Sequence, residues 1–477
     1  MSLKIGVSGV RGIIDDSLTE KVISDFAKAY GTFVILGSGF KPDPKITVYP
    51  KILIGRDTRQ SGEFVKKIVI DGLLATGCSV TDVGLCPTPT ALFLTREMHL
   101  DGAIIITASH NPAQWNGLKF VRPDGTFLTK PEIENLIKLY ESKKFNLTAD
   151  KKYANVKNEP DAINAHFDRV LESVDINVIK KAKFKVALDY CNGTGAVTTP
   201  YLLKKLGCEI LAINTSPDGK FAHNPEPTPK NLEQLAAFVK ETKADVGFAQ
   251  DPDADRLAVV NEKGIAIGEE NTLALAVKHV LTKRCLAPSR QQFHDKVPGT
   301  FLKVVVNLST SRMIDDICKE FGAELFRSAV GETNVVDKMR DVGAVVGGEG
   351  NGGVIYPSVN FGRDSFIGMA LILEYMAKSK KKLSELVAGI KQYSIEKIKI
   401  DCPQEKIKEI LENVKKSIKV SECQSVSTLD GVKIDYADGW AHIRGSNTEP
   451  VIRIMAEAPT SESALARIDK VKKLIQC

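Results

Sequence analysis

Three aspartates stand at alternate positions in this 477-residue chain, at Asp251, Asp253 and Asp255. In an extended backbone all three side chains would leave the same face. Carboxylates placed so close together repel one another, and a hard divalent cation such as Mg²⁺ prefers oxygen ligands. The spacing therefore predicts a magnesium site with one ion per chain. A solvated acidic turn is the alternative interpretation.

A calcium-binding loop of the pattern D-x-D-x-D-G-x₅-E is a second alternative, because Glu262 falls at its last position. Two features argue against it. Arg256 replaces the glycine of the sharp turn, and the flanking residues 246–249 and 257–260 have the pattern of strands rather than helices.

Ser109 follows an apolar run and precedes His110. We expect it at the end of a buried strand, in an exposed position suited to a nucleophile or a phosphate carrier. No G-x-S-x-G pattern surrounds it, and neighbours in sequence need not face each other. A tight turn over 107–112 is the alternative.

The segment 348–353, Gly-Glu-Gly-Asn-Gly-Gly, formally matches the dinucleotide fingerprint G-x-G-x-x-G. The residues after it do not open a helix, so no helix N-terminus could hold a pyrophosphate. A loop that brings Glu349 and Asn351 to hydroxyl groups is the functional interpretation, and a plain glycine turn is the alternative.

The segment 444–448 gathers an arginine, a glycine, two hydroxyl groups and an amide. These are the groups of an anion-binding loop. A polar hairpin turn is the alternative.

Three stretches of the chain repeat the order strand, helix, small residue, strand, at 52–80, 186–210 and 304–325. In each, a glycine is expected to end the helix in a left-handed cap, at Gly77, Gly207 and Gly322. Another apolar strand follows each repeat, at 101–106, 245–249 and 341–346, and leads to Ser109, to the aspartates and to Glu349 respectively. Strands alternating with helices predict α/β domains, in which ligands bind beyond the carboxyl ends of the strands.

The predicted fold is α/β: three related α/β domains with mixed sheets, and a smaller C-terminal α+β domain, around a central cleft. The domains are expected at 1–160, 161–263, 264–393 and 394–477. The last should contain a helix over 404–420, strands around 445–450 and a closing helix from Ser461. The segment 283–300 is predicted to be a long exposed loop.

Composition is that of an ordinary globular protein, with 43% hydrophobic and 26% charged residues. The net charge of +6 is a small difference between 65 basic and 59 acidic residues, so nucleic acid is not an expected partner. The run Lys380–Lys382 is read as a solvated helix end. Nine cysteines without C-x-x-C spacing argue against zinc and disulfides. No apolar stretch suits a signal peptide or a membrane span, so a cytoplasmic enzyme without a membrane partner is expected.

Together with 8–12 (Ser-Gly-Val-Arg-Gly) and 55–59 (Gly-Arg-Asp-Thr-Arg), the four loops resemble those of the α-D-phosphohexomutase family, in the same order and over nearly the whole chain. The family includes phosphoglucomutase, phosphomannomutase and phosphoglucosamine mutase. The resemblance implies an isomerase that interconverts hexose 6-phosphate and hexose 1-phosphate through a phosphoserine and a 1,6-bisphosphate intermediate. Hexose phosphates would be its partners, and a hexose 1,6-bisphosphate its activator.

The resemblance also implies a role for each site residue. Ser109 would be the phosphoserine and, with the three aspartates, a ligand of Mg²⁺. Lys119 would be the general acid and base, and His110 would be a further catalytic residue. The remaining predicted residues are Arg11 and Arg256 at the transferring phosphate, Glu349 and Asn351 at the sugar, and Arg444, Ser446, Asn447, Thr448 and Arg453 at the other phosphate.

Two departures from many relatives concern the substrate. Many have Ser in place of Asn351 and His in place of Gly353, and their phosphate loop reads S-G-T where this chain has 446–448, Ser-Asn-Thr. These variants look most like phosphoglucosamine mutases of some bacteria and archaea, so glucosamine phosphate is the expected substrate. Phosphoglucomutase or phosphomannomutase activity, a metal-dependent sugar phosphatase and a non-catalytic sugar-phosphate sensor are the alternatives. The oligomeric state is left open.

Overall fold

The computed structural model describes residues 3–6, 9–37, 49–148, 155–286, 302–418, 421, 423–446 and 450–475. The chain forms two compact units. The first consists of Met1–Thr272 and Gly352–Ser384, and the second of Leu273–Asn351 and Glu385–Cys477.

The strands are β1 (Lys4–Gly6), β2 (Gly9–Ile13), β3 (Lys51–Arg56), β4 (Ser79–Leu85), β5 (Gly102–Ile106), β6 (Trp115–Val121), β7 (Val156–Asn158), β8 (Lys185–Asp189), β9 (Glu209–Ile213), β10 (Val246–Gln250), β11 (Leu257–Asn261), β12 (Lys303–Asn307), β13 (Glu324–Ser328), β14 (Val346–Glu349), β15 (Gly353–Ile355), β16 (Ser394–Asp401), β17 (Ser425–Ser427), β18 (Val432–Tyr436), β19 (Gly439–Gly445) and β20 (Val451–Ala458). The α-helices are α1 (Glu20–Gly37), α2 (Gly62–Ala75), α3 (Thr88–Glu97), α4 (Lys130–Ser142), α5 (Asn164–Glu172), α6 (Ile176–Ala182), α7 (Gly195–Lys205), α8 (Glu233–Thr242), α9 (Glu269–Cys285), α10 (Met313–Phe321), α11 (Glu332–Val342), α12 (Ser365–Ser379), α13 (Leu383–Ala388), α14 (Gln404–Ser417) and α15 (Ser461–Lys472).

A seven-stranded mixed sheet in the first unit has the order β1-β2-β6-β5-β3-β4-β7. Its central strand β5 is buried along its whole length, as its unbroken apolar sequence predicts. Alternate residues of this strand enter two different cores. Ile104 and Ile106 pack with residues of α1, α2 and α4, whereas Ala103 and Ile105 pack with residues of α3. Helices therefore cover both faces, and the strand ends are left to carry polar loops.

Smaller sheets complete the two units. In the first unit β8, β9 and β10 are parallel, and β11 pairs antiparallel with β10. In the second unit β12 lies between β13 and β14, parallel to both. The last sheet, β16-β20-β19-β18-β17, is antiparallel and packs against α14 and α15. The predicted α/β fold with mixed sheets and a C-terminal α+β portion is confirmed.

The three predicted repeats are β3-α2-β4, β8-α7-β9 and β12-α10-β13. Each helix is followed by a glycine with a positive φ: +89° at Gly77, +75° at Gly207 and +60° at Gly322. A side chain with a Cβ is strained in this conformation, so glycine is the residue that ends such a helix at least cost. The predicted caps are confirmed.

Two local predictions were wrong. The strand expected over 341–346 begins only at Val346, because α11 continues to Val342 and Gly343 caps it with a φ of +68°. Lys283–Cys285 belongs to α9 rather than to a loop, and basic residues suit the negative end of a helix dipole. The rest of that loop, 287–300, lies outside the described residues. The helix expected over 404–420 is confirmed over Gln404–Ser417, and 419–420 lie outside the described residues.

Across the part of the chain that the structure describes, we found no helix with both the length and the apolar character needed to span a membrane.

Candidate active site

The aspartate cluster lies in the turn between β10 and β11, in the first unit. The extended conformation expected for it was wrong. Asp251 accepts hydrogen bonds from the backbone N–H groups of Asp255 and Arg256, both at 3.1 Å, and these bonds curl the chain back on itself. Ala254 takes a left-handed φ of +54° within the turn. The three carboxylates nevertheless converge, each with an oxygen within 4.8 Å of the others.

Two carboxylate oxygens in this cluster are buried and, within the described residues, have no hydrogen-bond partner: Oδ1 of Asp253 and Oδ1 of Asp255. A buried acceptor without a partner loses its hydrogen bonds to water and gains none from the protein. This costs about 1–3 kcal/mol, and more for a charged group. A hard cation is the ligand that oxygens of this kind prefer. The residues therefore fit a divalent metal ion. The calcium-loop alternative fails because β10 and β11, not helices, flank the turn.

The charges of the cluster are unevenly balanced. Burial, followed by the charges of Asp255 and Asp253, raises the pKa of Asp251 well above its usual value. Burial also acts to raise the pKa of Asp255, but the cations Arg363 and Lys119 outweigh it and the pKa is lowered. Added positive charge would therefore favour the ionised state of Asp251, as a bound metal ion does.

Ser109 adjoins this cluster, and its expected exposure was wrong. The residue is only 1% exposed, because its loop folds onto the aspartate turn. Its Oγ donates to Oδ2 of Asp251 at 3.2 Å and lies 3.2 Å from Nδ1 of His110. Its backbone has a left-handed φ of +50°. The hydroxyl thus points at the proposed metal ligands, which is where a phosphate carried by this serine would need its charge neutralised.

His110 is held in its neutral form. Burial, then the nearby cations Arg256 and Arg11, lowers the pKa of its imidazole well below the usual value. A neutral ring keeps one N–H, which Nδ1 can donate to Oγ of Ser109 while the hydroxyl donates to Asp251, without adding charge.

The Ser109 loop is fixed by Arg59, a buried residue that the sequence interpretation did not place in the site. Its two Nη atoms donate to four backbone carbonyls, those of Ser109, Asn111, Pro112 and Trp115, at 2.6–2.9 Å. Its Nε pairs with Asp57 at 3.0 Å. The motif at 55–59, which resembles that of the family, was the sequence signal that could have placed Arg59 in the site. Arg59 positions the serine and does not itself contact it through Oγ.

We expect Arg59→Lys to lower kcat by about 100-fold, because a displacement of roughly 1 Å at a reacting group has an effect of that size. Lysine has three donors and cannot make the five contacts of the planar guanidinium. Steady-state kinetics and thermal melting of the variant would measure the effect. The control is Arg169→Lys, since Arg169 forms an exposed pair with Glu172. Equal kcat in the two variants would contradict this role.

Lys119 approaches the aspartates from β6 and is 2% exposed. Its Nζ lies 2.7 Å from Oδ2 of Asp253 and 3.4 Å from Oδ2 of Asp255. Burial acts to lower the pKa of this ammonium, but the two carboxylates outweigh it and the pKa is raised. Lys119 is therefore charged and can deliver a proton inside the site.

The two predicted arginines also lie here. Arg11 donates from Nη1 to Oδ1 of Asn111 at 3.2 Å, and burial lowers its pKa against the pull of the aspartates. The Nε of Arg256 lies 3.9 Å from Oδ1 of Asp255.

Two further residues contact the aspartates and were missed. Arg363 pairs with Oδ2 of Asp255 at 2.7 Å, and Thr88 donates to Oδ2 of Asp253 at 2.6 Å. Neither belongs to a motif read from the sequence, and no local signal could have found them.

The second unit contains the remaining predicted residues that the structure describes. Glu349 ends β14, and its Oε1 accepts from Nδ2 of Asn307 at 2.9 Å and from the N–H of Gly331 at 3.1 Å. Asn351 donates to Oε2 of Glu349 at 3.4 Å. Its own Oδ1 is buried and accepts no hydrogen bond from the described residues. No helix follows this loop within 352–364, so the dinucleotide interpretation is excluded there.

Arg444 and Arg453 lie directly opposite each other on β19 and β20, and Lys399 of β16 lies opposite Arg453. Like charges in register repel one another unless an anion lies between them. Asp430 reaches Arg444 only at 4.0 Å, and Nε of Arg444 is buried without a hydrogen-bond partner among the described residues. The row of cations suits a phosphate. Ser446 lies at its end, whereas Asn447 and Thr448 lie outside the described residues.

His442, on the same strand as Arg444, is buried and was also missed. Its Nε2 donates to the carbonyl of Asp430 at 2.6 Å, so its Nδ1 is the acceptor for the hydroxyl of Ser309 at 2.9 Å. Burial lowers the pKa of His442 to about 4. Between that value and the ordinary 6.5 the unfolded chain binds more protons than the folded chain, so stability falls as the pH falls through this window.

We expect His442→Gln to remove part of that pH dependence, at most about 3 kcal/mol between pH 7 and pH 4. The urea midpoint of unfolding at several pH values measures it. The wild type should lose more stability on acidification than the variant does. His99→Gln removes an exposed histidine and serves as the control. Parallel pH curves for wild type and His442→Gln would contradict the prediction.

The site combines buried carboxylates that suit a metal ion with a serine hydroxyl in contact with them and a surrounding set of cations. These groups define a metal-dependent phosphoryl-transfer enzyme. Sequence models of four phosphoglucomutase/phosphomannomutase domains match the chain: α/β/α domain I over 2–147, domain II over 164–264, domain III over 269–393 and the C-terminal domain over 398–471. The chain belongs to this family, the α-D-phosphohexomutases.

Individual relatives agree with this assignment. A phosphoglucomutase/phosphomannomutase of Thermococcus kodakarensis is 37% identical, with 100% of this chain and 99% of the relative covered. A phosphoglucosamine/phosphogalactosamine mutase of Sulfurisphaera tokodaii is 34% identical, with full coverage of both. The crystal structure of a family protein from Burkholderia thailandensis has a TM-score of 0.82 at 26% identity, covering 98% of this chain and 95% of that one. Phosphohexomutase activity follows, and the names of the relatives leave the sugar open.

Proposed function

We propose that this phosphohexomutase interconverts glucosamine 6-phosphate and glucosamine 1-phosphate. The observation that carries the choice of sugar is the acceptor pair formed by Oε2 of Glu349 and Oδ1 of Asn351, which accepts no hydrogen bond from the described residues. The amino group of glucosamine is a charged donor with no acceptor capacity. A carboxylate beside an amide oxygen matches it better than it matches a neutral hydroxyl. The relative from Sulfurisphaera tokodaii, whose name includes phosphoglucosamine, supports the choice.

In the proposed reaction Ser109 carries the phosphate. Its P–Oγ bond breaks while a bond forms from phosphorus to the free hydroxyl oxygen of the sugar phosphate, which gives a hexose 1,6-bisphosphate. The sugar reverses its orientation, and the phosphate at its other end returns to Oγ of Ser109. Added 1,6-bisphosphate would activate the enzyme by phosphorylating Ser109 directly.

Each catalytic role falls to a residue of the first unit. Asp251, Asp253, Asp255 and the serine would hold Mg²⁺, which neutralises charge on the transferring phosphate when bound. Lys119 gives a proton to the leaving oxygen and takes one from the attacking hydroxyl. The cations Arg11 and Arg256 stabilise the phosphate, and His110 donates a hydrogen bond to Oγ of Ser109.

The residues proposed for the sugar and for the other phosphate belong to the second unit. Glu349 and Asn351 bind the sugar, and Arg444, Arg453, Ser446, Asn447 and Thr448 bind the phosphate that is not transferred. This division accompanies the proposed domains 1–160, 161–263, 264–393 and 394–477, which carry in turn the serine, the metal ligands, the sugar loop and the phosphate loop. A cytoplasmic location is part of the proposal.

The direct test compares turnover of glucosamine 6-phosphate, glucose 1-phosphate and mannose 1-phosphate, each with Mg²⁺ and the matching bisphosphate. We expect the highest kcat/KM with glucosamine 6-phosphate. If glucosamine 6-phosphate gave the lowest kcat/KM of the three substrates, the choice of sugar would be overturned. Release of inorganic phosphate in place of isomer would identify a phosphatase, and binding without turnover would identify a sensor.

We expect Asn351→Ser to lower the preference for glucosamine phosphate over glucose phosphate by about 10-fold, as loss of one contact to the amino group implies. The shorter side chain withdraws the acceptor oxygen. The ratio of the two kcat/KM values measures the change. Asn334→Ser, on α11, is the control, since the amide of Asn334 donates to the carbonyl of Val330. An unchanged ratio in Asn351→Ser would contradict this contact.

A further inference from the structure

A cavity of about 730 Å³ opens in the first unit on residues that the phosphohexomutase reaction does not use. Its walls come from α6, α8, the segment after β11 and the C-terminal end of α12. Its volume is within the range of 300–1,000 Å³ that is usual for small-molecule sites.

Six lysines surround this cavity: Lys181, Lys240, Lys243, Lys380, Lys381 and Lys382. They include the whole run that was read from the sequence as a solvated helix end. The acidic residues of the lining are Asp245 and Glu262. Glu262 is already engaged by the N–H and hydroxyl of Ser384, and Asp245 by the N–H of Lys185. Within the described residues, no ion pair within 4.0 Å is formed by Lys181, Lys240, Lys243, Lys380 or Lys381.

Helix dipoles explain part of this charge. Three helices end at the cavity, and Lys183, Lys243 and Lys380 cap them with left-handed φ values of 52–55°. Each C-terminal end carries about half a negative charge, so three ends and two carboxylates offset roughly three and a half positive charges, fewer than those of the five lysines that form no ion pair within the described residues. A positive surplus is left around the opening, and it favours a ligand with several negative charges.

The cavity wall is otherwise apolar. Val178, Ala182, Phe184, Ala244 and Met376 line it, and Ala377 lies beside them on α12. A purely inorganic anion would leave this surface in contact with water. An aromatic ring or other flat apolar group would bury it.

We propose that this cavity binds a nucleoside polyphosphate, with its base against the apolar wall and its phosphates among the lysines. The charge surplus matches a polyphosphate, and the wall around Phe184 matches a base. An organic anion with one charge would leave most of the lysines unmatched.

Helix α12 gives the site a physical connection to the aspartate turn. Its C-terminal end forms part of the cavity, and its first residue, Ser365, donates from Oγ to the carbonyl of Ala254 at 2.7 Å. Arg363, two residues earlier, pairs with Asp255. A ligand at one end of this helix therefore contacts the element that supports the catalytic turn at the other end.

Isothermal titration of the full chain with ATP in the presence of EDTA tests the proposal. We expect saturable binding with a Kd of roughly 10–100 µM. Tripolyphosphate and adenosine should each bind at least about 10-fold more weakly, because each can use only half of the site. Tripolyphosphate binding as tightly as ATP, or no saturable binding of ATP, would overturn the proposal.

Matched variants locate the binding. Lys181→Glu with Lys380→Glu should weaken ATP binding at least 10-fold, whereas Lys415→Glu with Lys416→Glu, an equal charge change on exposed residues of α14, should not. Ala377→Trp should also weaken it by filling the apolar wall without changing charge. Arg444→Gln should leave it unchanged. Weaker ATP binding in Arg444→Gln, or in both of the double lysine variants, would show that ATP binds elsewhere and would refute the site.

Discussion

Ser109→Ala should lower mutase turnover by at least about 10³-fold, because it removes the hydroxyl that is proposed to carry the phosphate between the two positions of the sugar. The substitution removes one hydroxyl and leaves the backbone contacts of Arg59 with this loop in place. We therefore expect the fold to persist. Coupled-assay kinetics would measure turnover, and thermal melting would confirm that the variant is folded.

Mass spectrometry separates the carrier role from a merely structural one. After incubation with a hexose 1,6-bisphosphate, the wild type should gain one phosphate at Ser109 and the variant none. Ser173→Ala, which removes a hydroxyl bonded to the carbonyl of Arg169, is the matched control and should keep both activity and phosphate. Near-normal turnover in Ser109→Ala would eliminate the phosphoserine mechanism.

Removing divalent metal with EDTA should abolish turnover, again by at least about 10³-fold, and Mg²⁺ should restore it. The physical reason is the pair of buried carboxylate oxygens at Asp253 and Asp255 that accept no hydrogen bond from the described residues. Mg²⁺ should also raise the melting temperature of the wild type, since a ligand that binds only the folded state stabilises it.

Asp253→Asn tests whether the metal acts at this turn. It keeps the shape of the side chain but removes one charge, so the rise in melting temperature on adding Mg²⁺ should largely disappear. Asp218→Asn, at an exposed position, is the control and should retain it. Full activity in EDTA, or an undiminished thermal response in Asp253→Asn, would be incompatible with the metal site.

Local sequence patterns predicted the fold well. The alternation of apolar strands with capped helices is set by near neighbours in the chain, so the three repeats and the glycines that end their helices could be recognised. The spacing of the three aspartates likewise identified their turn as a candidate metal site. Its conformation did not, because two backbone N–H groups bind Asp251 and curl the turn, and this depends on how the turn closes rather than on its composition.

Two long-range contacts of the site could not be predicted from local patterns. Arg363 meets Asp255 across 108 positions of the chain, and Arg59 reaches the Ser109 loop across 50. Each depends on how separate elements pack, and no local spacing encodes it. Burial of Ser109 was missed for the same reason, since the end of a strand is exposed or covered according to what folds over it.

The burial of Ser109 bears on how long the proposed phosphoserine would persist between encounters with substrate. A phosphate ester at a covered position meets few water molecules, so spontaneous hydrolysis should be slow compared with transfer to a sugar. Each hydrolysis event would leave the enzyme inactive until a bisphosphate phosphorylated Ser109 again. With Ser109 only 1% exposed, the proposed phosphoserine would rarely be hydrolysed, and a small supply of bisphosphate would suffice to keep the enzyme molecules phosphorylated.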